Sequence, residues 1–144
     1  GTALGAGATA VPFAEAIALE PERLRGEVDR MVAAPAYVSF AHRHHAYVGR
    51  GEYATQVERF RAELGDDRVY VLDADDFFAE PFPQIQALTS WLGLAPWTPA
   101  AVEQWNARPG DALTPELRAQ LREHFEPFDR RLAELTGREP SWRR

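Results

Sequence analysis

With 144 residues, 45% of them hydrophobic and 26% charged, the chain carries enough apolar material for one folded domain and too much for intrinsic disorder. A formal net charge of −6 argues against nucleic-acid binding through the overall field, and the absence of cysteine excludes disulfides, thiolate metal sites and a cysteine nucleophile. All sixteen basic residues are arginine, so the chain offers no lysine for a P-loop, a Schiff base or a general base. No run approaches the roughly 18 apolar residues of a membrane span, and no basic-then-apolar secretory signal is visible. Together with the missing cysteines, this composition suits a cytoplasmic location.

Residues 1–10 are Gly/Ala-rich and aperiodic, and they read as an irregular lead-in. From Val11 onward the chain reads as part of one domain. Pro12 and Phe13, followed by Ala14, Ile17 and Ala18, predict a short helix. Pro21 is expected to open a second one, with Leu24, Val28, Met31 and Val32 at helical spacing and Pro35 as its end. The aromatic and histidine-rich stretch from Ala36 to Gly51 reads as a helix that breaks around Gly49-Arg50-Gly51.

A clearer amphipathic helix follows, with Tyr53, Val57, Phe60 and Leu64 on one face and a stop at Gly65-Asp66-Asp67. Arg68 to Leu72 is short, β-branched and apolar after Arg68, the pattern of a strand buried on both faces of a parallel sheet. Asp75 or Asp76 is expected to cap a short helix through Phe77 and Phe78. Pro81 and Pro83 lead into a helix bearing Ile85, Leu88, Trp91 and Leu92, which Gly93 ends. Thr114-Pro115-Glu116 starts the last long helix; Pro127 is expected to bend or split it and Gly137 to stop it. The inventory is about six helices around one strand. A lone strand cannot satisfy its own hydrogen-bond ladder, so either its neighbours lie elsewhere in a longer chain or the strand reading is wrong.

The order of motifs carries a family resemblance. The run from Ala46 to Phe60 contains Tyr47, Arg50, Gly51, Tyr53, Gln56 and Arg59, and resembles a family pattern Tyr-x-x-(Arg)-Gly-x-Tyr-x-x-(Gln/His)-Leu-x-Arg-Trp. Asp67 to Leu72 with Asp75, Asp76, Phe77 and Pro81 resembles the family's strand and turn, and Ile85 to Leu94 its Leu-Gly-Leu helix end. Asn106, Phe125 to Asp129, Leu132, Leu135, Gly137-Arg138 and Trp142 complete the series. Over Val11 to Trp142 the chain is similar to the C-terminal half of bacterial sulfotransferase domains related to the heparan sulfate N- and O-sulfotransferases.

That resemblance implies an α/β fold: the C-terminal part of a P-loop-type sulfotransferase, mostly helical here with one main strand at about Arg68–Leu72. It also implies transfer of a sulfuryl group from 3′-phosphoadenosine 5′-phosphosulfate to a hydroxyl or amine of a small-molecule, carbohydrate or lipid acceptor. The family's P-loop lysine, its Arg…Ser grip on the 3′-phosphate and its base have no counterpart here. Gly1 to Gly7 lacks the lysine and the spacing of a P-loop. The resemblance therefore places this machinery upstream and implies that these residues alone are inactive.

By the same resemblance, Arg50, Gly51 and Tyr53 lie near the cleft, with Arg50 as an anion contact to nucleotide or acceptor. Where the eukaryotic enzymes carry a basic loop over the nucleotide, this chain has Gly110 to Pro115, and Arg108 just before it is the substitute. His42, His44, His45 and Tyr47 are candidates for the acceptor pocket. His42 and His45 share a helical face, but no acidic partner at a supporting spacing makes a metal set, and no metal is expected. Asp73, Asp75 and Asp76 read as helix-capping and solvated carboxylates. Rival readings are a helical binding or scaffold domain, a P-loop nucleotide kinase, for which the arginines of a lid are missing, and a non-catalytic sulfotransferase paralogue.

Overall fold

The structure, a computed structural model, describes residues 12–103 and 112–144. It divides into two compact units, separated in the chain between Gly51 and Glu52. The described residues are 67% helical and contain no strand, so the fold observed is all-α.

In the first unit, α1 (Phe13–Arg23) begins after Pro12, whose carbonyl accepts from Ala16 N at 2.9 Å. Pro21, expected to open a new helix, sits inside the last turn of α1. The missing proline N–H costs that turn one bond, while Leu24 N still reaches Glu20 O at 2.9 Å and carries the helix past it. The break comes instead at Gly26, which adopts φ 73° and starts α2 (Glu27–Ala33). The expected histidine-rich helix is shorter than the sequence pattern: α3 (Phe40–His45) is capped by Ser39, whose hydroxyl accepts from His42 N at 2.9 Å. A 3₁₀ turn, Gly49–Gly51, closes the unit. Both α1 and α2 pack on α3.

The second unit begins with α4 (Tyr53–Leu64) and ends with α7 (Pro115–Thr136), and these two helices pack on each other. Ala54 and Leu132 are buried there, but Tyr53, Phe60 and Leu64 are exposed, so much of the apolar face of α4 stands uncovered. Between them lie α5 (Ala74–Ala79) and α6 (Pro81–Trp91), packed together. The α6 stop is a Schellman motif. Gly93, at φ 69°, donates to Ser90 O at 3.0 Å and Leu94 N reaches back to Thr89 O at 2.9 Å. Thr114 caps α7 by accepting from Leu117 N at 3.2 Å, and α7 runs unbroken through Pro127.

The strand expected over Arg68–Leu72 is absent. Asp66–Arg68 forms a 3₁₀ turn, and Val69 is extended at φ −119°, ψ 107°. Val69 N donates only backward, to Asp66 O at 3.4 Å, so the β-branched run adopts extended backbone without a ladder. The helix cap expected at Asp75 or Asp76 falls on Asp73, whose Oδ1 accepts from Asp75 N at 3.0 Å.

Candidate functional site

In the second unit, a cavity of about 330 Å³ opens between α4, residues 71–74, the last turns of α7 and the C-terminal tail. Tyr53, Val57 and Phe60 line it from α4, Val71 and Leu72 from the extended segment, and Leu132 and Trp142 from the far side. The Tyr53 and Trp142 rings meet at 5.6 Å between centroids and form part of its wall. Its size is at the lower end of small-molecule pockets, and the lining is mostly apolar.

The polar groups at this cavity are engaged by one another. Arg138 Nη1 donates to Asp76 Oδ2 at 3.2 Å and Nη2 to the Val71 carbonyl at 3.4 Å. Asp73 accepts from the Ser141 amide and hydroxyl, both at 2.9 Å. Burial pushes the Asp73 carboxyl up, but the Ser141 amide and hydroxyl and the amides of Asp75 and Asp76 outweigh it and hold the group below the usual aspartate range. The hydroxyl of Ser141 also meets Asp75 Oδ2 at 2.8 Å, and Arg144 Nη2 donates to Asp76 Oδ1 at 2.5 Å. The three aspartates after the extended segment thus fasten the C-terminal tail to the start of α5.

Of the other residues singled out by the sequence, His42, His44, His45, Tyr47, Arg50 and Gly51 belong to the first unit. Arg50 sits in the 3₁₀ turn, and its Nη2 donates to the carbonyls of His42 and Arg43, at 3.3 and 2.7 Å, at the end of α3. That contact holds the turn against a helix C-terminus, a favourable place for a cation. Gly51 N closes the turn onto Val48 O at 2.8 Å. His44 stacks on Phe40 at 4.1 Å and pairs through Nδ1 with the Phe40 carbonyl at 2.9 Å. His45 stands edge-on to Phe40, and its Nδ1 is buried without a hydrogen bond. Tyr47 stands edge-on to Phe13 at 5.9 Å. Of these histidines, His44 is exposed beside Phe40 and His45 packs edge-on against it. No group of three or more His, Asp or Glu side chains among the described residues is placed to hold a metal ion. Arg108 and Gly1 to Gly7 lie outside the described residues.

Sequence reasoning missed the most heavily bonded carboxylates. Glu20, 6% exposed, accepts from three consecutive amides, Tyr47, Val48 and Gly49. Glu27, also buried, accepts from the Ser39 hydroxyl, from Tyr37 Oη at 2.8 Å and from Arg30 Nη1 at 3.1 Å. The Ser39 hydroxyl first and the Tyr37 hydroxyl second hold Glu27 below the usual glutamate range, against the opposing effect of burial. Asp129 is buried against Arg143. Apart from Arg30, three positions from Glu27, their partners are ordinary residues 10 to 29 positions away, which no local spacing marks.

A nucleotide bearing two phosphates and a sulfate requires several free cations and amides converging on one cleft. The wall of this cavity is mostly apolar, and the arginine that lines it, Arg138, is tied to Asp76 and Val71 O. No helix among the described residues is long and apolar enough to cross a membrane. Comparisons with protein-family models, with curated proteins and with solved structures gave no match.

Proposed function

We propose that this chain is the C-terminal helical part of a sulfotransferase that moves a sulfuryl group from 3′-phosphoadenosine 5′-phosphosulfate to a hydroxyl or amine. The observation that carries the reading is the order of motifs from Tyr47-Val48-Gly49-Arg50-Gly51 through Leu92-Gly93-Leu94 to Phe125-Glu126-Pro127 and Trp142. On this reading the chain contributes a cleft wall and not the reacting groups. The lysine such enzymes use comes from polypeptide outside these 144 residues, which contain none. The uncovered apolar side chains are in keeping with a surface that packs against more protein: Trp91, Leu92, Leu94 and Trp97 are all exposed, and no large side chain among the described residues is fully buried.

The polypeptide that carries this chain in its own cells should transfer radiolabelled sulfuryl from the nucleotide to a member of a panel of carbohydrates, lipids and small alcohols. The 144-residue chain alone should transfer none. Turnover by the isolated chain, or none by a native polypeptide with the nucleotide and the whole panel, contradicts the proposal.

A second reading, a helical binding domain, is favoured by one feature, the apolar cavity beside Tyr53 and Trp142. It predicts that tryptophan fluorescence in the isolated chain responds saturably to small aromatic ligands, and less so in Trp142→Phe, while the nucleotide has no effect on the native polypeptide.

A further inference from the structure

Three consecutive backbone N–H groups in the first unit converge on one carboxylate. Tyr47 N and Val48 N donate to Glu20 Oε2 at 2.9 and 2.8 Å, and Gly49 N donates to Oε1 at 3.0 Å. Successive amides aimed at one point make an anion-binding concavity, and the same donors serve a carboxylate, a sulfate or a phosphate. Here the anion arrives from α1, 27 to 29 residues away in sequence, and is nearly sealed from solvent.

The concavity is supported by contacts that do not involve Glu20. Ala46, just before it, is buried. The Tyr47 ring rests edge-on against Phe13, Gly51 N closes onto Val48 O, and Arg50 is fastened to the carbonyls of His42 and Arg43. A Cβ at Gly49 would lie 3.6 Å from Glu20 Oε1, an ordinary contact, so the close approach of the carboxylate does not depend on the glycine.

We infer that Tyr47–Gly49 is an oxyanion-binding nest that the chain fills with its own Glu20. Glu20 is thus an internal ligand that pins the Gly49–Gly51 turn, and with it Arg50, to α1. Removing the carboxylate empties a site whose ligand class is a small oxyanion, and supplying one from solution refills it. This holds whether or not the chain belongs to a sulfotransferase.

The test uses the 144-residue chain as wild type, Glu20→Ala and Glu20→Gln, with the backbone amide resonances as the readout. In Glu20→Ala, formate and, in a separate arm, inorganic sulfate should shift the Tyr47, Val48 and Gly49 amides saturably, while the wild type, already filled, does not respond. A response to formate alone defines a carboxylate nest, and a response to both a general oxyanion nest; either supports the inference. In Glu20→Gln, one acceptor oxygen replaces two, so at least one of the three amides should exchange with solvent about tenfold faster. Amides of α4 and α7 should keep their rates. If neither anion moves the three amides of Glu20→Ala, or if the wild type responds equally, the inference fails. Should Glu20→Ala not fold, unchanged protection of all three amides in Glu20→Gln overturns it instead. None of these readouts involves sulfuryl transfer, so their failure and the failure of the proposed function are separate events.

Discussion

Arg143 Nε donates to Asp129 Oδ2 at 2.5 Å while Nη2 of the same guanidinium donates to the Arg122 carbonyl at 2.7 Å and Nη1 pairs with Glu126 Oε2 at 3.1 Å, so one side chain ties the C-terminal tail to α7 three times. Arg143 and Asp129 are both nearly sealed, with side chains 10% and 6% exposed. Removing one partner of such a pair leaves the other as an uncompensated buried charge. Arg143 keeps Glu126 as a second ionic partner, at 3.1 Å, whereas Asp129 has Arg143 as its cation, so Arg143→Met should destabilise the second unit by about 3 kcal/mol. Urea denaturation followed by tryptophan fluorescence checks it, and a loss no larger than that of an exposed pair such as Arg130–Glu126, at most about 1 kcal/mol, speaks against it.

Acid should loosen both units. Glu27 and Asp73 are each held below their ordinary values, near 4.5 and 3.8, by hydrogen bonds to the ionised form. A carboxyl with a lowered folded value binds protons more readily in the unfolded chain. Its stabilisation is present above the unfolded value and disappears as the pH falls through the folded one. Unfolding free energy measured across this acidic range should fall for the wild type. Glu27→Gln and Asp73→Asn should each flatten the fall, the first in the first unit and the second in the second. A wild-type profile that stays level across the range contradicts this assignment.

Gly137 stops α7 at φ 72°, donating to Ala133 O at 2.8 Å. A Cβ built there meets nothing within 4 Å, so the cost of a side chain is backbone strain alone. Gly137→Ala should lower stability by about 1 kcal/mol, and Gly137→Asn by less, since asparagine tolerates the left-handed region better. Equal losses for the two would point to some cause other than backbone conformation.

The helices were legible where their signals are local. Thr114-Pro115 at the start of α7, Gly93 after α6 and Gly65 after α4 act through bonds spanning a few residues, and the sequence shows them. Pro127 did not split α7, because packing against α4 and the bonds on either side of the missing N–H keep the helix continuous. Arg68–Leu72 misled for the converse reason. Its β-branched run favours extended backbone, which Val69 adopts, but a strand is made by its neighbours, and neighbours are a non-local fact. Of the residues picked as site candidates, Tyr53 lines a cavity, Arg50 donates to the Arg43 carbonyl and His44 pairs with the Phe40 carbonyl, and none of these placements follows from local spacing. Glu20 was invisible, since a glutamate in a helix carries no mark that three amides near residue 48 will close on it.

The most direct measurement of the central claim is calorimetry with 3′-phosphoadenosine 5′-phosphate, the product nucleotide, which needs no knowledge of the acceptor. It should be titrated in parallel into the isolated 144-residue chain and into the native polypeptide that carries it. The sulfotransferase reading predicts saturable binding by the native polypeptide and none by the isolated chain. A native polypeptide that fails to bind the nucleotide would contradict it.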